Sequence, residues 1–169
     1  MTEINIFRLL SVNGHLLELS NLLLKTVNNG ASIGFLPPIT EKDCENYWNS
    51  VINPEVILLV AKLNSEIVGT VQLHLSTKKN GLHRAEIAKL MTHPNHQREG
   101  IGRKLMEKAE KIAREFGRNL LILDTREGDP SNKLYTSLGY IKAGEIPYFA
   151  KSANGDLDTT IIYYKWTEM

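Results

Sequence analysis

Between an apolar strand pattern and a helical one lies the run His96-Gln97-Arg98-Glu99-Gly100-Ile101-Gly102-Arg103-Lys104, whose make-up suits it to hold a pyrophosphate. Glycines at 100 and 102 allow a tight turn and a close backbone approach, and the helix that follows offers unpaired N–H groups to an anion. Arg98, Arg103 and Lys104 add positive charge at the same place. The spacing is Q-x-x-G-x-G, shorter than the dinucleotide fingerprint G-x-G-x-x-G. It also lacks the Gly-Lys-Ser/Thr ending of the nucleoside triphosphatases, which argues against that activity. A plain helix start with basic surface residues would look similar, so the surrounding elements decide. Two carboxylates flank the loop in sequence: Glu86 on the strand before it and Asp124 at the end of the strand expected beside that one. Facing one cleft, they would serve to take a proton from a nucleophile. Equally, Glu86 would serve as a structural partner of Arg84 or Lys89, and Asp124 as a cap for the following loop.

The elements that must position these groups can be read along the chain. Ile4 to Leu9 reads as a strand, and Leu16 to Val27 as a helix closed by Asn28-Asn29-Gly30. The segment Gly30 to Pro38 is irregular, and Thr40 is placed to cap a helix running through Trp48. This small-residue segment, with Ser32 and Phe35, suits one wall of an acceptor pocket. A helix-to-helix connector packed by Phe35 is the alternative. Val56 to Lys62 and Ile67 to Leu75, joined at Asn64-Ser65, read as a hairpin, and Arg84 to Thr92 as the next strand. From Ile101 to Phe116 apolar residues recur at helical spacing, with Glu107–Lys111 and Glu110–Arg114 as i,i+4 pairs on the solvated face. Leu120 to Asp124 reads as a strand buried on both faces. A helix from Pro130 to Leu138 and strands over Tyr140–Ala150 and Thr159–Trp166, turning at Asn154-Gly155, complete the chain.

Bulk properties narrow the function. The 169 residues, 42% apolar and 23% charged, suit one domain spanning 1–169. A net charge of +1 provides no basic field for nucleic acid, so anion binding must be local. The longest apolar stretch, Val56 to Ala61, falls far short of the roughly 20 residues of a membrane span, so no membrane partner is expected. A single cysteine, Cys44, and no leader-like start point to the cytoplasm. A metal site using His93 and His96, with His83 or His74, is disfavoured, because the first two flank a proline in a turn and no clear third ligand is spaced with them. No metal is expected.

The order strand, two helices, three strands, helix, strand, helix, two strands, with the anion loop after the fourth strand, resembles the GNAT superfamily of acetyltransferases. Gln97-Arg98-Glu99-Gly100-Ile101-Gly102 matches that family's Q/R-x-x-G-x-G/A motif, and Leu134-Tyr135-Thr136-Ser137-Leu138-Gly139-Tyr140 its L-Y-x-x-x-G-F/Y motif. More narrowly, Gly30-Ala31-Ser32-Ile33-Gly34-Phe35, Asn80 to Glu86 with Lys89-Leu90-Met91, and Leu123-Asp124-Thr125 are similar to the tabtoxin-resistance acetyltransferases.

The resemblance implies an α/β fold: a mixed, mostly antiparallel sheet of about seven strands flanked by about four helices. It implies acetyl-CoA as co-substrate, its pantetheine along Leu90, Met91 and Thr92. The pyrophosphate would lie on the backbone of Gln97, Arg98, Glu99, Gly100, Ile101, Gly102, Arg103 and Lys104, with Asn132 and Tyr135 also at the cofactor. Tyr135 would protonate the leaving thiolate, with a core aromatic as its alternative role, and Glu86 and Asp124 would accept protons. Glu99 fits an anion loop only with its side chain turned to solvent. The expected reaction is direct acetyl transfer to an amine or hydroxyl of a small molecule, such as a toxin or antibiotic. The alternatives are a protein N-terminal or lysine acetyltransferase and a silent acetyl-CoA sensor. The expected partner is a small-molecule acceptor, with a homodimer allowed.

Overall fold

The computed structural model describes residues 3–168. Along the described chain run β1 (Asn5–Leu9), α1 (Leu16–Asn28), α2 (Glu41–Val51), β2 (Val56–Leu63), β3 (Glu66–Leu75), β4 (Arg84–Thr92) and α3 (Ile101–Glu115). They are followed by β5 (Leu120–Arg126), α4 (Ser131–Ser137), β6 (Ile141–Lys151) and β7 (Leu157–Trp166). Among the described residues the seven strands form one sheet, ordered β1-β2-β3-β4-β5-β7-β6. All neighbours are antiparallel except β4 and β5. With its four helices this is the expected mixed architecture. No described helix is long and apolar enough to cross a membrane.

Local chemistry accounts for several boundaries. Asn64 and Ser65 take φ of 49° and 73°, the left-handed pair that a two-residue hairpin turn needs between β2 and β3. Thr40 caps α2 reciprocally: its hydroxyl accepts from the Asp43 amide at 3.1 Å, and the Asp43 carboxylate accepts from the Thr40 amide at 3.0 Å. Those bonds from the Thr40 backbone and hydroxyl hold the Asp43 carboxyl below its usual range.

Alternation along the strands sends side chains to two layers. On one face Ile87, Leu121 and Leu123 pack against Leu105, Met106 and Ala109 of α3. On the other, Leu58 and Val60 pack under Leu19, Leu22 and Leu23 of α1 and Trp48 of α2. Two readings of the sequence are corrected here. Glu110 is not half of a surface pair with Arg114. It is 7% exposed and accepts a hydrogen bond from Lys165 Nζ at 2.8 Å, because α3 lies against the sheet where β7 presents that lysine. Leu120 to Asp124 is fully buried on one face only. Leu120 and Ile122 are half-buried and Asp124 is exposed, because α1 and α2 cover β2 and β3 and leave this part of β5 open.

That opening continues a parting of the two parallel strands. β4 and β5 pair at Arg84↔Leu120, Ala85↔Leu121 and Glu86↔Ile122 and then stop, although both strands run on. Lys89 has φ of 55°, and the β3–β4 register slips between Thr70 and Gln72, which marks a bulge in β4. The bulge bends the second half of β4 away from β5, leaving a wedge-shaped gap in the middle of the sheet.

Trp48 anchors the α1/α2 layer, with no exposed surface and its indole N–H donating to the Leu19 carbonyl at 2.8 Å. Trp48→Ala should therefore lower unfolding free energy by about 3–5 kcal/mol, read from urea denaturation. Trp48→Phe should cost clearly less but still destabilise, since it removes that buried hydrogen bond and part of the packed ring.

Candidate active site

At the N-terminus of α3 the backbone itself forms the cradle. Arg98 and Gly100 are left-handed, with φ of 65° and 80°. The first helical amide to close a turn is that of Lys104, on the Gly100 carbonyl at 3.1 Å. The amides of Ile101, Gly102 and Arg103 thus have no acceptor within the helix, and Gly100 has no side chain to cap them. Glu99 turns its carboxylate to His96 Nδ1 at 3.2 Å, half exposed and away from the amides. Arg103 reaches back from α3 to donate to Ser137 Oγ of α4 at 2.6 Å, and Ile101 buries its side chain in the core. What these two present to a ligand is backbone.

A Cβ on Gly102 would lie 3.4 Å from Leu134, and 4.0 Å from both Leu90 and Thr92. These are ordinary contacts, so nothing within the protein forbids a side chain there. The space a side chain would enter lies between the first turn of α3 and the freed half of β4. Leu90 and Thr92 border that space, while Met91 points into the opposite core and offers only its backbone. The Asn132 amide donates to the carbonyls of Arg126 and Asp129, both at 2.9 Å, and its carbonyl accepts from Tyr163 at 2.8 Å. Its side chain thus fastens the β5–α4 loop.

The gap widens into a cavity of about 370 Å³ that Glu86, Asp124, Tyr135, Ser32 and Leu90 all border. Glu86 and Asp124 share a sheet face, since Glu86 pairs with Ile122 and Asp124 lies two residues further on. Asp124 accepts from Thr160 Oγ1 of β7 at 2.8 Å. Tyr135, on α4, is 5% exposed and held among Tyr140 and Tyr163, with ring centroids 5.9 and 6.0 Å away. Burial, then the charges of Asp124 and Asp129, push its phenol well above its ordinary pKa, so it stays protonated across the neutral range. Phe35 does not border this cavity. It packs edge-on to Tyr47 at 4.9 Å and lines a smaller adjoining recess of about 230 Å³, which Ser32 shares.

Three site-forming residues were not singled out as site residues from sequence. Lys89 Nζ donates to the Ile33 carbonyl at 2.5 Å and lies 5.5 Å from the centre of the Phe35 ring, pinning the Gly30–Phe35 wall to β4. Burial pushes this ammonium's pKa down, opposed by Asp124 and Glu86. A lysine set between Ala88 and the apolar pair Leu90-Met91 was the available signal. Arg126 and Thr160 carried none, because their roles depend on strand pairings and loops far apart in sequence. Among the described residues no group of three His, Cys, Asp or Glu side chains is placed to hold a metal. His93 is buried and its ring accepts from the Asn95 amide.

The open loop at the start of α3 lies beside a parted β4–β5 pair in a seven-stranded sheet, and comparison with known proteins shows the class of protein to which this arrangement belongs. Residues 24–140 match the acetyltransferase (GNAT) family, and the chain belongs to it. An Azospirillum brasilense protein described as an uncharacterized N-acetyltransferase is 30% identical over 131 residues, 75% of this chain and 78% of that one. An L-amino acid N-acyltransferase of Escherichia coli is 24% identical over 112 residues, 66% of this chain and 65% of its own. A Salmonella typhimurium protein solved with its cofactor acetyl-CoA has the same fold, with a TM-score of 0.80 over 98% of this chain and 94% of that one at 17% identity. The protein is a GNAT acetyltransferase that uses acetyl-CoA as co-substrate.

Because Gly102 is unconstrained by its own protein, Gly102→Val should fold with an unchanged circular dichroism spectrum yet lose acetyl-CoA affinity by about tenfold or more in calorimetry. Unchanged affinity in that folded variant would remove the loop from the cofactor site.

Proposed function

We propose that the enzyme transfers the acetyl group directly to the amine of a small molecule, with Asp124 and Glu86 taking the amine's proton and Tyr135 protonating the departing sulfur. The observation that carries this reading is the convergence of these three side chains on one cavity at the mouth of the β4–β5 parting. Bound acetyl-CoA supplies a thioester carbon. An amine arriving as ammonium must first lose a proton, and the two exposed carboxylates at the cavity, Glu86 and Asp124, are placed to receive it, whereas Asp129 and Asp158 are engaged by Arg126 and Ser152. As the nitrogen–carbon bond forms, the carbon–sulfur bond breaks and Tyr135 delivers its proton to sulfur. The nitrogen gives up a second proton as the amide forms; of the two protons taken from it, one returns to the phenol through the open cavity and the other leaves to solvent.

The choice of a small acceptor is supported by the cavity's size, which falls in the range of small-ligand sites. An amine in place of a hydroxyl accords with the N-acyl activities named for the two relatives. A toxin or antibiotic amine is the finer form of this reading, supported by the motif similarity to tabtoxin-resistance enzymes. Direct transfer is supported by Cys44, which is fully buried in α2 and leaves no thiol at the cavity. A cytoplasmic setting belongs to the same reading.

Tyr135→Phe keeps the ring packing and removes the hydroxyl. The expected result is a fall in kcat of about 10²–10⁴-fold with acetyl-CoA binding retained, measured by thiol release and calorimetry. Wild-type turnover would exclude the role.

Asp124→Asn and Glu86→Gln should each lower kcat and flatten the rise of rate with pH, without unfolding the protein. Because groups acting as a unit are non-additive, the double variant should be little worse than the poorer single one. Multiplying effects would assign the carboxylates separate tasks.

A further inference from the structure

The charge balance of the cavity wall is uneven, and its cations are already engaged. Four carboxylates border the cavity, Glu86, Asp124, Asp129 and Asp158, against two cations, Lys89 and Arg126. Arg126 has each of its nitrogens committed: Nε to Asp129 at 3.0 Å, Nη1 to Ser152 Oγ at 2.9 Å and Nη2 to the Gly30 carbonyl at 3.1 Å. Ser152 in turn donates to Asp158, so this one guanidinium serves two carboxylates. Lys89 is likewise shared: its ammonium is bonded to the Ile33 carbonyl, lies over the Phe35 ring and feels both Asp124 and Glu86. Each cation is outnumbered two to one. Meanwhile Glu86 and Asp124 are exposed to the cavity, and among the described residues the one side chain bonded to their oxygens is Thr160, at Asp124 Oδ2.

We infer that the acceptor is a cationic amine without an acidic group near the acetylated nitrogen, such as a diamine or the amine of a basic compound, and not a free amino acid. The inference rests on the small-molecule reading above and specifies its substrate class. An ammonium entering this wall restores the missing positive charge and brings its proton to Glu86 and Asp124. An α-carboxylate entering beside it meets two open carboxylates and no uncommitted cation. The acceptor class therefore differs from the one named for the Escherichia coli relative.

Three acceptors that differ only around the α-carbon test this: 1,5-diaminopentane, L-lysinamide and L-lysine, compared by thiol release from acetyl-CoA. The expected kcat/KM for the diamine and the amide exceeds that for L-lysine by about tenfold or more at low salt. That ratio should shrink as salt rises, since the screening length falls from about 10 Å at 0.1 M to about 3 Å at 1 M. Phe149→Lys, which adds a cation on an exposed residue of β6 at the cavity edge, should cut the ratio by about threefold through better use of L-lysine. Equal or better turnover of L-lysine, or a ratio indifferent to both salt and Phe149→Lys, would overturn the charge selection while leaving small-amine acetylation standing. Failure of every small amine with a protein that still binds acetyl-CoA would overturn both.

Discussion

The parting of β4 from β5 after Glu86 and Ile122 is the constraint on which the rest of the site depends. A continuous parallel ladder would close the sheet at its centre and leave no room for a thioester. The bulge that ends it places a lysine in left-handed backbone, which costs about 1–2 kcal/mol for a residue with a Cβ. What offsets it is the destination of that side chain, an ammonium bonded to the Ile33 carbonyl, an interaction of about the same size. The distortion that opens the sheet thus also fixes the irregular segment before α2 against the opening. The parting of β4 and the position of the Gly30–Phe35 segment are thus set by one residue.

Backbone and side chains divide the work. The loop at α3 offers amides whose direction is fixed by Arg98 and Gly100, while two charged side chains nearby are turned elsewhere, Glu99 to His96 and Arg103 to Ser137. The cavity is built instead from side chains contributed by the 31–34 segment, β4, β5, α4, β6 and β7. Under the proposed function the co-substrate is thus met by backbone and the acceptor by side chains.

How much could be read from the sequence followed the range of the interactions involved. Element order, the Asn64-Ser65 turn and the Thr40 cap are local, set by a few neighbouring residues. The loop at Gly100 and the tyrosine at 135 were legible through short motifs whose spacing reflects one turn and one helix. Glu110 was misjudged because its i,i+4 neighbour was visible and Lys165, 55 positions away, was not. Leu120 to Asp124 looked buried on both faces because an apolar run does not reveal that its covering helices stop short. Lys89 and Arg126 went unassigned for the same reason: their partners, Ile33, Gly30 and Ser152, come from loops whose positions only the assembled sheet defines.

Arg126 joins the end of β5 to Gly30 near the start of the chain and to Ser152 in the turn between the last two strands. β7 lies between β5 and β6, although it follows both in the chain. The edge of β5 away from β4 is therefore covered only after β6 and the turn that follows it have been made. The segments that Arg126 gathers come together once the β6–β7 hairpin has docked on β5. A chain cut before β7 would leave that edge open and Asp124 without the Thr160 hydroxyl.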